Sequence, residues 1–279
     1  AVRVVINEAV CEGCGDCSTQ SNCLSVEPLE TDFGRKRTIN QSTCNKDISC
    51  VKGFCPSFVT VEGGQMRAQK CKDAASPALP EVPEPMLPSL ASGQHLGGYG
   101  IVVAGVGGTG VITIGQLLGM AGHLEGLGVV TQDSAGLAQK GGATWSHVLI
   151  AASQADIRTT RVSTAEADLV IGCDPIVTVA KETMLRMRAG RTHVAINAQG
   201  VPTAEFVKNG NWQNPSQDCV STIAEAVGAA GLGAFRADLA ATELLGDSIY
   251  TNPMMLGYAW QKGWVPLSLD ALKRAIELN

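Results

Sequence analysis

Three cysteines within seven residues, Cys11, Cys14 and Cys17 in CEGCGDC, have the C-x2-C-x2-C spacing that wraps thiolates around one face of an iron–sulfur cubane. An altered copy follows. Cys44, Asp47 and Cys50 in CNKDISC align with the first three in order, so a carboxylate stands where the pattern has a thiol. Each copy is led by Ile-Asn (Ile6-Asn7, Ile39-Asn40) and trailed by one further cysteine, Cys23 or Cys55. In duplicated modules of this kind the remote cysteine closes the cluster of the other copy. The spacing therefore predicts one cluster on Cys11, Cys14, Cys17 and Cys55, and a second on Cys44, Cys50 and Cys23 with Asp47 at the fourth iron. A carboxylate suits iron in a sulfide cage less well than a thiolate. The second site is read as a [4Fe–4S] cluster with one labile iron, or as a [3Fe–4S] cluster. Two alternatives stay open: Asp47 as a solvated turn residue, and Cys71 as a substitute ligand. Zinc is the rival metal, but structural zinc usually takes two separated pairs of ligands, and here three thiols crowd together in a duplicated unit.

A second kind of chemistry is written in glycine. GVGGTG supplies Gly105, Gly107, Gly108 and Gly110 between a β-branched run, Ile101 to Ala104, and an apolar helix to about Leu124. Such a turn aims backbone N–H groups and a helix N-terminus at a phosphate or carboxylate; tight strand-to-helix packing is the alternative. Lys140, Gly141 and Gly142 in QKGGATWSH form another loop, suited either to holding an anion or to a solvated hairpin. Asp133, after GVVTQ, is a candidate ribose partner. His147 and His193 lie in apolar strand-like runs and read as structural. Cys173 and Cys219 have no nearby base, and no residue of this chain is assigned as catalytic.

These residues must be positioned by two modules. Residues 1–71 are expected to form an α+β ferredoxin-like iron–sulfur module. Residues 72–98 hold five of the twelve prolines within twelve residues and read as an extended linker. Residues 99–279 are expected to form an α/β Rossmann-like domain with a mainly parallel sheet. Its strands are predicted at 128–133, 145–151, 167–174 and 192–197 after the first at 101–104, with a helix starting near Pro175. The C-terminal 45 or so residues read as helical, with Asn252-Pro253 at a helix start.

Composition narrows the function classes. The chain has 279 residues, 45% hydrophobic and 17% charged, with 32 glycines and a net charge of −5. Its basic residues are scattered, which argues against a nucleic-acid partner. Apolar runs are broken well short of ~18 residues, so no membrane-spanning helix is expected. Eight of ten cysteines lie between positions 11 and 71, a distribution that fits a cofactor in a reducing cytoplasm better than a disulfide framework. A chain that opens without methionine is expected to be a processed or excised piece.

The motif set CEGCGDC, CNKDISCVKGFCP, GVGGTGV and AQKGGATWSHV resembles the 2-oxoacid:ferredoxin oxidoreductases, in particular the ferredoxin-type and γ-domain part of fused-chain indolepyruvate ferredoxin oxidoreductases. The resemblance covers essentially the whole chain and ends in NPMMLGYAWQKG. It implies oxidative decarboxylation of an aryl 2-oxoacid to an acyl-CoA, with thiamine diphosphate, coenzyme A and ferredoxin. It also implies thiamine-binding domains or subunits as partners, and an oligomer. Two departures stand out. Lys140 occupies a loop position where the family commonly has arginine, which keeps charge but loses bidentate geometry, and the thiamine-binding G-D-G…N signature is absent. The chain is thus expected to be catalytically incomplete alone, relaying electrons from decarboxylation to ferredoxin. The alternatives are a stand-alone electron-transfer protein with a nucleotide-binding domain, and an NAD-linked iron–sulfur reductase.

Overall fold

In the first copy of the repeat, strand β1 (Val2–Ile6) leads through the cysteine loop into helix α1 (Asp16–Ser21) and strand β2 (Val26–Thr31). The second copy follows the same course: β3 (Gly34–Ile39), a 3-10 turn at Ser49–Lys52, then β4 (Phe58–Glu62). In this computed structural model the described residues are 2–21, 23–53, 55–64, 82–91, 97–136, 141–203, 205–206, 209 and 211–279. The copies pair crosswise: β1 runs antiparallel to β4 and β2 to β3. Their hydrogen bonds also repeat. Asn7 N donates to Ser57 O at 2.7 Å, and Asn40 N to Ser25 O at 2.8 Å. Asn7 Oδ1 accepts from Ala9 N, and Asn40 Oδ1 from Ser42 N, both at 3.0 Å. The duplication in sequence is therefore a duplication in backbone, with each Asn side chain closing the turn into its cysteine loop. A small core of Val4, Val26, Ile39 and Cys50 lies between the pairs.

The chain divides into two units, residues 1–72 with 201–214, and residues 73–200 with 215–279. Segment 201–214 lies inside the 99–279 domain of the sequence reading, yet it groups with the first unit. Phe206 from this segment is 2% exposed and packs edge-on to Trp212, with ring centroids 6.1 Å apart.

The second unit is built on β5 (Tyr99–Val106), whose apolar run is buried on both faces, as a central strand requires. Helix α2 (Val111–Leu124), β6 (Gly128–Ala135) and β7 (Ala143–Ala151) follow, then β8 (Leu169–Gly172), the short helices α3 (Pro175–Thr178) and α4 (Lys181–Met184), and β9 (His193–Asn197). Helix α5 (Ser216–Val227), β10 (Leu232–Phe235), α6 (Ala237–Leu245), α7 (Thr251–Gln261) and α8 (Leu269–Leu278) complete it. The six strands lie in the order β10-β9-β8-β5-β7-β6. Ile101 and Val103 face a core with Ile114, Leu118, Met255 and Leu272; Val102 faces another with Val170, Val194 and Ile223. Fully burying each such side chain is worth roughly 1.5–3 kcal/mol.

The sheet is mixed. β5, β8, β9 and β10 are mutually parallel, but β7 is antiparallel to both β5 and β6. The expectation of strands alternating with helices fails at β6–β7 for a geometric reason. Only residues 136–142 join them, too short for the dozen or more residues of a parallel crossover. The strand at β10 and helix α5 were also unanticipated, since LGAF carries no β-branched residue.

Candidate functional site

In the first unit the two cysteine loops share an unusual backbone. Gly13 and Gly15 have φ of 72° and 82°; the equivalent Lys46 and Ile48 have φ of 62° and 59°. A left-handed isoleucine is strained, so the second copy holds the same loop shape where its residue types resist it. Alternating left-handed residues turn successive N–H groups inward into a concavity suited to anions and iron–sulfur sites. Accordingly, Gly13 N donates to the Cys11 sulfur at 3.4 Å. A side chain at Gly13 would collide with the Arg35 carbonyl oxygen.

Cys50 is influenced by Cys23 and Cys44, and Cys17 by Cys11. Cys50 is buried, which pushes its thiol pKa up, and the charges of Cys23, Cys44 and Asp47 push it further. These are the members of the second predicted set, including the crosswise Cys23. Burial likewise raises Cys17; the adjoining Ser18 and the Arg37 charge oppose this, and Cys11 adds to it. Cys14 is exposed, and Cys55 Sγ lies 3.0 Å from Ser57 Oγ. All described cysteines are free thiols. Asp47 is exposed: its Oδ1 accepts from Ser49 N at 3.1 Å and Ser49 Oγ at 2.9 Å, and its Oδ2 from Asn45 Nδ2 at 3.1 Å. The carboxylate thus organises its own turn. Among the described residues no three His, Cys, Asp or Glu side chains stand close enough to hold a single metal ion; a cubane spreads its ligand sulfurs more widely than one ion does. Cys71 lies outside the described residues.

In the second unit the fold joins the two glycine loops. Gly107 N donates to Gly142 O at 2.7 Å, and Gly141 N to Gly107 O at 3.4 Å. The glycines have different reasons to be there. Gly105 is a packing position, because a Cβ would stand 2.8 Å from both Cys173 Cβ and Val111 Cγ2. Gly108 and Gly110, with φ of 86° and 94°, supply left-handed turns, and among the described residues nothing stands within 4 Å of where a Cβ on Gly108 would be. Lys140 lies outside the described residues. Sequence reasoning gave Asn252 no role at this loop. It is 4% exposed and its Nδ2 donates to Thr109 O at 2.8 Å, so α7 pins the loop from across the unit. The Asn-Pro helix start was its one signal.

The loop sits where helices leave β5 and β8 toward opposite sheet faces, the switch point at which open α/β sheets bind ligands. The floor there is polar and satisfied. Asp174 Oδ1 caps α3 by accepting from Val177 N at 3.0 Å. Asn197, at the end of β9, accepts from Ala237 N at 3.0 Å and so caps α6 from another element. Asp133 does not fit a ribose partner: it is exposed and lies within β6 at the sheet edge, opposite Ser146, with β7 between it and β5.

His147 and His193 are both packed within the second unit. His193 stacks on Trp264 with centroids 4.9 Å apart. His147 is 1% exposed, and burial, followed by the charges of Arg186 and Arg161, pushes its pKa down to about 4, with Glu182 opposing.

Residues 100–279 match the family described as pyruvate ferredoxin/flavodoxin oxidoreductase. The indolepyruvate oxidoreductase subunit IorB of Methanothermobacter thermautotrophicus is 27% identical over 181 residues, which is 65% of this chain and 87% of that protein. Its counterpart in Pyrococcus horikoshii is 29% identical, over 65% and 86%. Among solved structures, the pyruvate oxidoreductase subunit PORC of Thermotoga maritima is similar at 19% identity and TM-score 0.43, over 64% of this chain and 84% of that one. The gamma subunit of a keto/oxoacid ferredoxin oxidoreductase of Geobacter sulfurreducens gives 20% and 0.41, over 65% and 86%.

Proposed function

The chain belongs to the pyruvate ferredoxin/flavodoxin oxidoreductase family, and on that premise we propose that it is the electron-relay and γ-domain part of an indolepyruvate-type, thiamine-dependent 2-oxoacid:ferredoxin oxidoreductase. The observation that carries the relay reading is the crosswise neighbourhood of Cys50, Cys23, Cys44 and Asp47, set beside a strained loop that repeats the backbone of the all-cysteine copy. Donor chemistry and loop shape both fit iron–sulfur clusters. Cys11, Cys14, Cys17 and Cys55 would hold one, and Cys23, Cys44 and Cys50, with Asp47, the other. Such a cluster, when bound, accepts and passes on single electrons. The protein's part is to gather the thiols and to present N–H groups to sulfur, as Gly13 does to Cys11. Binding must also displace the thiol protons, because thiolates are the ligands.

In the γ domain, Gly105, Gly107, Gly108 and Gly110, together with Lys140, Gly141 and Gly142, are proposed to receive an anionic group at the switch point. The hydrogen bonds joining Gly107 to both Gly141 and Gly142 support a single composite loop. Thiamine diphosphate and coenzyme A chemistry is assigned to partner domains or subunits, since the chain carries no G-D-G…N signature. An exposed apolar run on and after α6 (Leu239, Leu244, Leu245, Ile249, Tyr250) is in keeping with assembly. The NAD-linked reading loses its support at Asp133, which stands on the edge strand.

The test is metal content. Anaerobically prepared protein should hold about seven to eight irons with matching acid-labile sulfide. Two zinc ions per chain and no sulfide would overturn the relay reading.

A further inference from the structure

Arg37 is a buried charge that the fold does not explain. It lies on β3 and is 2% exposed. Among the described residues its Nε has no hydrogen-bond partner and its guanidinium no ion pair. Its one hydrogen bond there is a long one, from Nη1 to Lys36 O at 3.4 Å. One side is covered by Phe206, whose ring centroid lies 4.3 Å from Cζ. Nη2 reaches the first cysteine loop: a Cβ on Gly15 would stand 3.2 Å from it. Cys17 feels the same charge, which partly offsets the rise that burial imposes on its thiol.

A buried cation without a carboxylate is costly unless something anionic lies beside it. An aromatic face attracts a cation but does not neutralise it. The anionic group that this arrangement fits is a thiolate-ligated cluster on the loop that Arg37 touches. We propose that Arg37, shielded by Phe206, supplies a fixed positive charge to the cluster of Cys11, Cys14, Cys17 and Cys55 and thereby favours its reduced form. The inference rests on the iron–sulfur reading above. Adding one electron makes the cluster more negative and breaks no bond, so a nearby cation stabilises the product of that step more than its reactant. Among the described residues no arginine acts on Cys50, whose thiol is influenced instead by Cys23, Cys44 and Asp47. The effect should therefore fall on one cluster of the two.

The experiment is a potentiometric titration with dithionite and mediators, followed by EPR, on the full chain and on Arg37→Met and Arg37→Lys. In Arg37→Met the reduced-to-oxidised ratio of one cluster at a given potential should fall about tenfold, a shift of about −59 mV for one electron, or that cluster should fail to load. The other cluster should move less. Arg37→Lys, which keeps the charge, should stay near the parent. An unshifted Arg37→Met overturns the proposal. So does an Arg37→Lys that shifts, or loses its cluster, as much as Arg37→Met, because shape rather than charge would then be responsible. Iron and sulfide assays on the parent separate these results from failure of the iron–sulfur reading itself.

Discussion

Asp47 organises a turn, and the proposed second cluster asks it to stand at an iron as well. Its two oxygens accept three hydrogen bonds from Asn45 and Ser49, which hold it in the position that Cys14 occupies in the other copy. A carboxylate so engaged is a weak competitor for iron, and it is already harder than the thiolates around it. Mild oxidation should therefore remove the iron beside Asp47 first, giving a [3Fe–4S] EPR signal of about one cluster per chain. Asp47→Cys should suppress that conversion, and Cys71→Ser should leave it unchanged. The reverse pattern would make Cys71 the ligand and Asp47 a structural residue only.

His147 gives a pH dependence in the second unit. Its pKa in the fold is pushed down to about 4, so the folded protein keeps it neutral where an unfolded chain, at about 6.5, takes up a proton. The stability it contributes is full above pH 6.5 and is lost as pH falls toward 4. The total change is on the order of 3 kcal/mol. In denaturant titrations, the parent should therefore lose stability relative to His147→Leu by about that amount between pH 7 and 4.5. A stability difference that stays constant over this range would mean that the histidine is not the group responsible.

At the scale of elements, α2 is shaped by what it must approach. Gly115, Gly119 and Gly122 lie on one helical face, a weak choice for a helix at about 1 kcal/mol each relative to alanine. Their compensation is close contact with the sheet. A Cβ on Gly119 would stand 2.7 Å from Thr131 Cγ2, one on Gly122 2.6 Å from Val129 Cγ2, and one on Gly115 would overlap Ser146 Oγ. Gly115→Val should cost roughly 3 kcal/mol or more by overpacking, read as a lowered denaturation midpoint. It should also displace the glycine loop that α2 begins. A variant as stable as the parent would show that α2 does not need this close approach.

At the scale of the molecule, the two units differ in what they supply: one gathers thiols, the other closes a loop at a sheet switch point. Neither carries a group assigned to the cleavage of a 2-oxoacid. The purified chain should thus show no indolepyruvate decarboxylation with thiamine diphosphate and coenzyme A added. Activity should appear only with the thiamine-binding partner. Turnover by this chain alone would refute the division of labour proposed here.

Much of this was legible without coordinates. Short-range patterns carried the duplication, the pairing of each Ile-Asn with its cysteine loop, the strand–glycine–helix unit from β5 to α2 with its end at Leu124, and the helix start at Asn252-Pro253. Each depends on a few neighbouring residues whose backbone preferences are strong, so sequence alone determines it. Other features needed the tertiary structure. β7 inserts antiparallel between β5 and β6, which removes Asp133 from the switch point. Asn252 reaches Thr109, and Phe206 covers Arg37. Lys46 and Ile48 are held left-handed against their own preference. These are contacts between residues far apart in the chain, or local conformations imposed by such contacts. Their free energy exists only once distant segments meet, so no local pattern announces them.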